Sequence, residues 1–108
     1  MNTLEYLAAT KDKLGIQSDY ALAKALHVSQ PTISSYRAQR SRIDDDVALK
    51  IADILELNPL AVIASANAER AKTPEMKARW LGLMEKFSTS FNTLMLQANP
   101  ILGFSKNR

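Results

Sequence analysis

Apolar positions recur at helical spacing along most of the chain, and the polar punctuation between them marks six segments. In residues 3–14, Leu4, Leu7, Ala8 and Leu14 share one side. Thr3 is the expected cap, Gly15 offers a left-handed stop, and Ile16 is expected to tuck under the next two helices. From Ser18 a short stripe of Ala21, Leu22, Ala25 and Leu26 begins, with Ser18 as N-cap and Asp19 suited to the positive end of the helix dipole. His27-Val28-Ser29 reads as a tight corner. Val28 plugs it, Ser29 caps the next helix, and Pro31 sits in a first turn where its missing N–H costs nothing.

In that third helix Ile33 and Tyr36 face inward, and residues 39–43 read as a loop. Asp44, Asp45 and Asp46 open a fourth helix, where acids complement the dipole; a metal site would need them convergent, not stacked in one turn. Val47, Leu49, Ile51, Ala52, Ile54 and Leu55 supply its buried side. Asn58 caps a fifth, alanine-rich helix that includes Leu60, Val62 and Ile63, and Thr73-Pro74-Glu75 starts a sixth, expected to reach about Gln97. Trp80, Met84, Phe87, Phe91, Leu94 and Ala98 follow spacings of 4, 3, 4, 3 and 4 on it, a short heptad seam. A face this aromatic needs burial, and self-association of two chains through Trp80, Met84, Phe87, Phe91 and Leu94 is the expected solution, over packing within the chain or on another protein. The basic residues Lys77, Arg79 and Lys86 beside it would also suit a membrane surface. The last ten residues, with Pro100 and Gly103, are expected to be an irregular tail.

Composition narrows the chemistry. The 108 residues suffice for one domain and an appendage, and no stretch nears the roughly 20 apolar residues of a membrane span. The N-terminal residues lack the basic-then-apolar order of a secretory signal, and zero cysteines remove disulfides and thiolate sites; a cytoplasmic location is the expectation. A single histidine, no Gly-rich phosphate loop and no His/Cys cluster leave no visible basis for an enzyme, a metal site or a cofactor. Net charge is only +3, but it is unevenly spread. Residues 1–42 carry six basic and three acidic groups, residues 43–68 one and five, and residues 69–108 seven and three. Such segregation suits a protein that turns one face to DNA.

The third helix supplies that face. Gln30, Thr32, Ser34, Ser35 and Arg37 are left outward or at the edge by the inward pair. Gln can pair with an adenine edge, Ser and Thr with several bases, and small side chains let a helix sit deep in a major groove. Arg37, Arg40 and Arg42 are placed for phosphates, as is Ser29 at the helix start. Lys11 and Lys13 read as a solvated face, with a phosphate role as the second possibility.

The run ALAKALHVSQPTISSYR resembles the helix-turn-helix of lambda-repressor-like, Cro/C1-type (XRE) DNA-binding domains. The matching positions are Leu22-Ala23, Leu26, Val28-Ser29-Gln30, Thr32-Ile33-Ser34 and Tyr36, and the resemblance extends over residues 3–65. To the C-terminal amphipathic segment over 69–98 and the tail over 99–108, which the chain's own pattern sets, the resemblance adds an all-α, five-helix DNA-binding domain over residues 1–68 (motif 18–40). It implies base contacts from Gln30, Pro31 and Ser35, and phosphate contacts from the start of the second helix, Ser18 to Tyr20. The chain departs from the family where His27 replaces the usual turn glycine, and where Arg37 and Gln39 stand for Glu and Gly. The expected function is a transcriptional regulator of double-stranded DNA, acting as a phage- or prophage-type repressor on a two-fold symmetric operator as a homodimer. The alternative is an antitoxin that uses its last helix to hold a toxin.

Overall fold

The computed structural model describes residues 1–102, with side chains through Thr89. Six helices follow one another: α1 (Thr3–Leu14), α2 (Asp19–Leu26), α3 (Gln30–Arg37), α4 (Asp45–Leu55), α5 (Pro59–Arg70) and α6 (Pro74–Leu102). Among the described residues there is no strand, so the protein is all-α, and no helix is long and apolar enough to cross a membrane.

Local chemistry sets most of the boundaries. Ser18, Ser29, Asp44 and Asn58 each accept a backbone N–H of the turn they open, and Thr73 accepts from Met76 N at 3.1 Å. α1 differs from expectation. Its cap is Asn2, not Thr3, in a reciprocal box with Glu5. Thr3 is buried instead: its hydroxyl donates to Glu69 Oε1 at 2.6 Å and accepts from Ile43 N at 3.2 Å. At the other ends, α1 to α4 all stop through a left-handed residue, followed by an N–H that reaches back to a carbonyl of the last turn. Only the first uses glycine, Gly15 at φ 67°; His27, Gln39 and Glu56 hold φ 57–59° with side chains attached. Ile16, Val28 and Leu57 follow three of these stops, and Ile16 and Val28 fold their side chains against the core.

The core gathers Tyr6 and Leu7 from α1, Leu22, Ala23 and Leu26 from α2, Ile33 and Tyr36 from α3, Val47, Ala48, Ile51 and Ala52 from α4, and Val62 and Ala66 from α5. Residues 39–43 join α3 to α4 outside any helix, as expected of a loop, and Ile43 at its end is fully buried. The stripe on α1 is also corrected: Ala8 and Leu14 are exposed, while Tyr6, Leu7 and Thr10 are buried, Thr10 returning its hydroxyl to the Tyr6 carbonyl at 2.7 Å. Leu49 and Leu60 are exposed as well, on the outer sides of α4 and α5.

α6 packs antiparallel along α5. A short connection, residues 71–73, joins them, and Asn58 Nδ2 at the start of α5 donates to the Phe87 carbonyl at 3.0 Å. Trp80, Met84 and Phe87 are half-buried, and Leu81 and Leu83 are exposed. The helix continues to Leu102, past the expected end and through Asn99 and Pro100 of the expected irregular tail. The Phe91 and Leu94 side chains and residues 103–108 lie outside the described part.

Candidate nucleic-acid interface

α2 and α3 form the hairpin the spacing implied. His27 turns the chain in the left-handed conformation, its N–H donating to Lys24 O at 3.2 Å, and Val28 N donates to Ala23 O at 3.0 Å. α3 is then fixed from behind. Ile33 and Tyr36 are almost fully buried, and burial pushes the Tyr36 hydroxyl above its ordinary pKa, with Asp44 adding to the effect. The helix cannot roll without pulling both from the core, so its outer face is defined.

That face carries Gln30, Pro31, Ser34 and Arg37, all exposed; Gln30, Ser34 and Arg37 fall at i, i+4 and i+7 on one side of the helix. Thr32 and Ser35 are half-buried at its edges. The Thr32 hydroxyl lies 2.9 Å from that of Ser29, which also caps α3, and the Ser35 hydroxyl accepts from Ser41 at 2.8 Å. The structure therefore sets Gln30, Pro31 and Ser34 outward, and holds Thr32 and Ser35 by bonds within the protein.

The cationic candidates differ among themselves. Arg40 is exposed. Arg42 is exposed and donates to Gln39 O at 3.1 Å. Ser18 caps α2, and Tyr20 beside it is 56% exposed, with Lys24 Nζ 5.1 Å from its ring centre. Arg37 is engaged: Nε and Nη2 bond the Asp19 carboxylate at 3.2 and 2.8 Å. Lys11 Nζ reaches the same carboxylate at 2.9 Å. The hydrogen bonds from Arg37 and Lys11 hold the Asp19 carboxyl well down, at about 2.

From sequence, Asp19 reads only as a partner of the helix dipole and Lys11 as a solvated face. A signal was available. In an αα-hairpin the start of the first helix lies near the end of the second, which brings Asp19 to Arg37. The Asp44–Asp46 run is accounted for locally: Asp44 caps α4, and Asp45 bonds Arg70 Nη2 at 3.0 Å. Among the described residues no cluster of His, Asp and Glu gathers to hold a metal.

A family model described as Helix-turn-helix matches residues 7–62, just over half of the chain, from the core-facing side of α1 to the first turn of α5. No curated protein and no solved structure gives a significant match. The matched stretch holds the hairpin, its buried Ile33 and Tyr36 and the exposed Gln30 face. The chain belongs to the Cro/C1-type (XRE) helix-turn-helix family, which consists of DNA-binding transcription regulators.

Proposed function

We propose that the protein is a repressor of the phage or prophage type that occupies a two-fold symmetric operator as a homodimer. The observation that carries the reading is α3: two side chains lock it to the core while Gln30, Pro31 and Ser34 stand outward beside a cationic rim. Inserted in a major groove, Gln30 would pair with an adenine edge, and Pro31, Thr32, Ser34 and Ser35 would meet neighbouring bases. Ser18, Tyr20, Ser29, Arg37, Arg40 and Arg42 would hold the backbone on either side.

Dimerisation rests on α6. Asn58, the cap of α5, is level with Phe87, so the turns of α6 after Phe87 have no α5 beside them. In sequence the seam continues there through Phe91 and Leu94. Trp80, Met84 and Phe87 then serve both α5 and the inner end of the pairing surface. Two copies joined this way would present two recognition helices, and a spacing of roughly 34 Å would match one turn of DNA.

The test is selection of bound sites from a random double-stranded library at moderate salt. A symmetric pair of half-sites is expected, and Phe91→Asp with Leu94→Asp should reduce it to single half-sites. Arg40→Ala should weaken all sequences alike and lower the salt slope by about one. Enrichment of single half-sites by the wild-type chain would remove the homodimer. A small partner protein that co-purifies and masks α6 would then support the antitoxin reading. No enrichment at all would end the DNA-reading proposal.

A further inference from the structure

An acid at the rim of a DNA-facing surface is costly by Coulomb's law alone, since it repels the phosphates the surrounding cations attract. Asp19 is such an acid, and its geometry gives it a use. Arg37 meets it side-on, with Nε donating to one carboxylate oxygen at 3.2 Å and Nη2 to the other at 2.8 Å. A guanidinium has five N–H groups in one plane. The side-on pair uses two and leaves three: both of Nη1 and the second of Nη2. Two of these form the end-on fork, directed away from Asp19, that matches two phosphate oxygens. Lys11 is not equivalent. Its ammonium is committed to Asp19 at 2.9 Å and to the Gln17 carbonyl at 2.9 Å, and its side chain is only 22% exposed. The cluster thus fixes one cation in orientation and draws the other inward, on the same side of α3 as Gln30 and Ser34.

We propose that Asp19 is a positioning residue for DNA binding, which clamps Arg37 side-on so that its end-on fork grips one backbone phosphate and sets the register in which Gln30 meets its base. The inference rests on the DNA-reading proposal above. It assigns to α2 a part in specificity without a base contact: a phosphate held by a fixed fork fixes the depth and slide of α3, whereas a freely rotating arginine would neutralise charge on any sequence.

The experiment measures affinity by fluorescence anisotropy, for the duplex selected by the wild-type chain and for a scrambled duplex, across a salt series. Asp19→Asn removes a negative charge from the DNA side. Simple attraction then predicts tighter binding, and positioning predicts that the selected duplex binds about three- to tenfold more weakly. In an Arg37→Ala background the same substitution should cause no loss, because only its removal of a negative charge is left to act. Arg37→Lys keeps the charge without the fork, so it should keep the wild-type salt slope while losing preference for the selected duplex. Thermal melts establish that each variant is folded at the temperature of measurement, and Arg37→Lys carries the test if Asp19→Asn is not. Unchanged or tighter binding by Asp19→Asn, an equal loss in the Arg37→Ala background, or a wild-type preference in Arg37→Lys would overturn the proposal and leave Asp19 a tie within the hairpin. Those results leave DNA reading intact. A wild-type chain that prefers no duplex overturns both.

Discussion

α3 and α6 are both amphipathic helices, and they are held in opposite ways. α3 has eight residues and buries two of them almost completely, Ile33 and Tyr36, in a core to which all of α1, α2, α4 and α5 contribute. α6 has twenty-nine residues, and among those with described side chains none is fully buried; it packs mainly along α5, to which Asn58 ties it. A short helix can therefore be the more firmly placed of the two. Position comes from how many elements converge on the inner face, and length adds little to it.

The largest difference between the two helices is expected at their inner faces. Ile33→Ala should cost about 2–5 kcal/mol, since it leaves a cavity that the surrounding helices cannot collapse. Trp80→Ala, though a larger truncation, should cost only roughly 1–2 kcal/mol, because the indole is half-buried to begin with. Denaturant unfolding followed by circular dichroism measures both, and a reversed order would mean that α6, not the hairpin, organises the molecule. Next comes the outer face of α3. Gln30→Ala should leave the melting temperature unchanged and lower discrimination between cognate and random duplexes by about 1–3 kcal/mol, read by competition binding. An equal loss on every sequence would show that Gln30 does not read a base.

Smaller effects probe the looser helix and the hairpin rim. Gly82 lies within α6 in open space, so Gly82→Ala should stabilise the protein by about 0.5–1 kcal/mol without a steric penalty. A melting temperature that falls instead would place a neighbour against that side of α6. At the rim, pH is the probe. The Asp19 carboxyl is depressed from 3.8 to about 2 by Arg37 and Lys11. Its pairing therefore stabilises the fold fully above pH 4, and the contribution is lost as pH falls toward 2. The group is well exposed, so the contribution is under about 1 kcal/mol. Wild type and Asp19→Asn should differ by that amount at pH 6 and converge near pH 2 in denaturant melts. A gap that persists at pH 2 would exclude the ion pair as its source.

Much of the hairpin was legible because its signals are local. A cap such as Ser18 or Ser29 acts within three residues, and Ile33 and Tyr36 announce an inner face by their spacing. The left-handed turn at His27 followed from the family pattern, and Gln39, where the family favours glycine, adopts the same conformation. What escaped was tertiary. Thr3 looks like a cap because hydroxyls favour helix starts, yet Asn2 takes that role and Thr3 meets Glu69, 66 residues away. Ile43 shows no period of its own, being one apolar residue in a polar loop. Arg37 reads as a phosphate contact without its acid, because Asp19 sits 18 residues earlier and only the closed hairpin joins them. Phe91 and Leu94 continue in sequence the seam begun at Trp80, and their side chains lie outside the described part.

The Glu69 carboxylate has one more implication, for connectivity. Its Oε1 accepts from both the backbone N–H and the hydroxyl of Thr3, so the entrance and the exit of the α1–α5 unit touch. In space the unit is nearly a ring, and the Ser65 hydroxyl, which donates to the Met1 carbonyl at 2.7 Å, helps to close it. A short linker from residue 70 to residue 2 would complete that ring covalently, and the chain could then be reopened at the α4–α5 corner as a circular permutant. The same closure means that α6 departs from the corner where the chain enters, so anything fused ahead of Met1 would share that corner with α6.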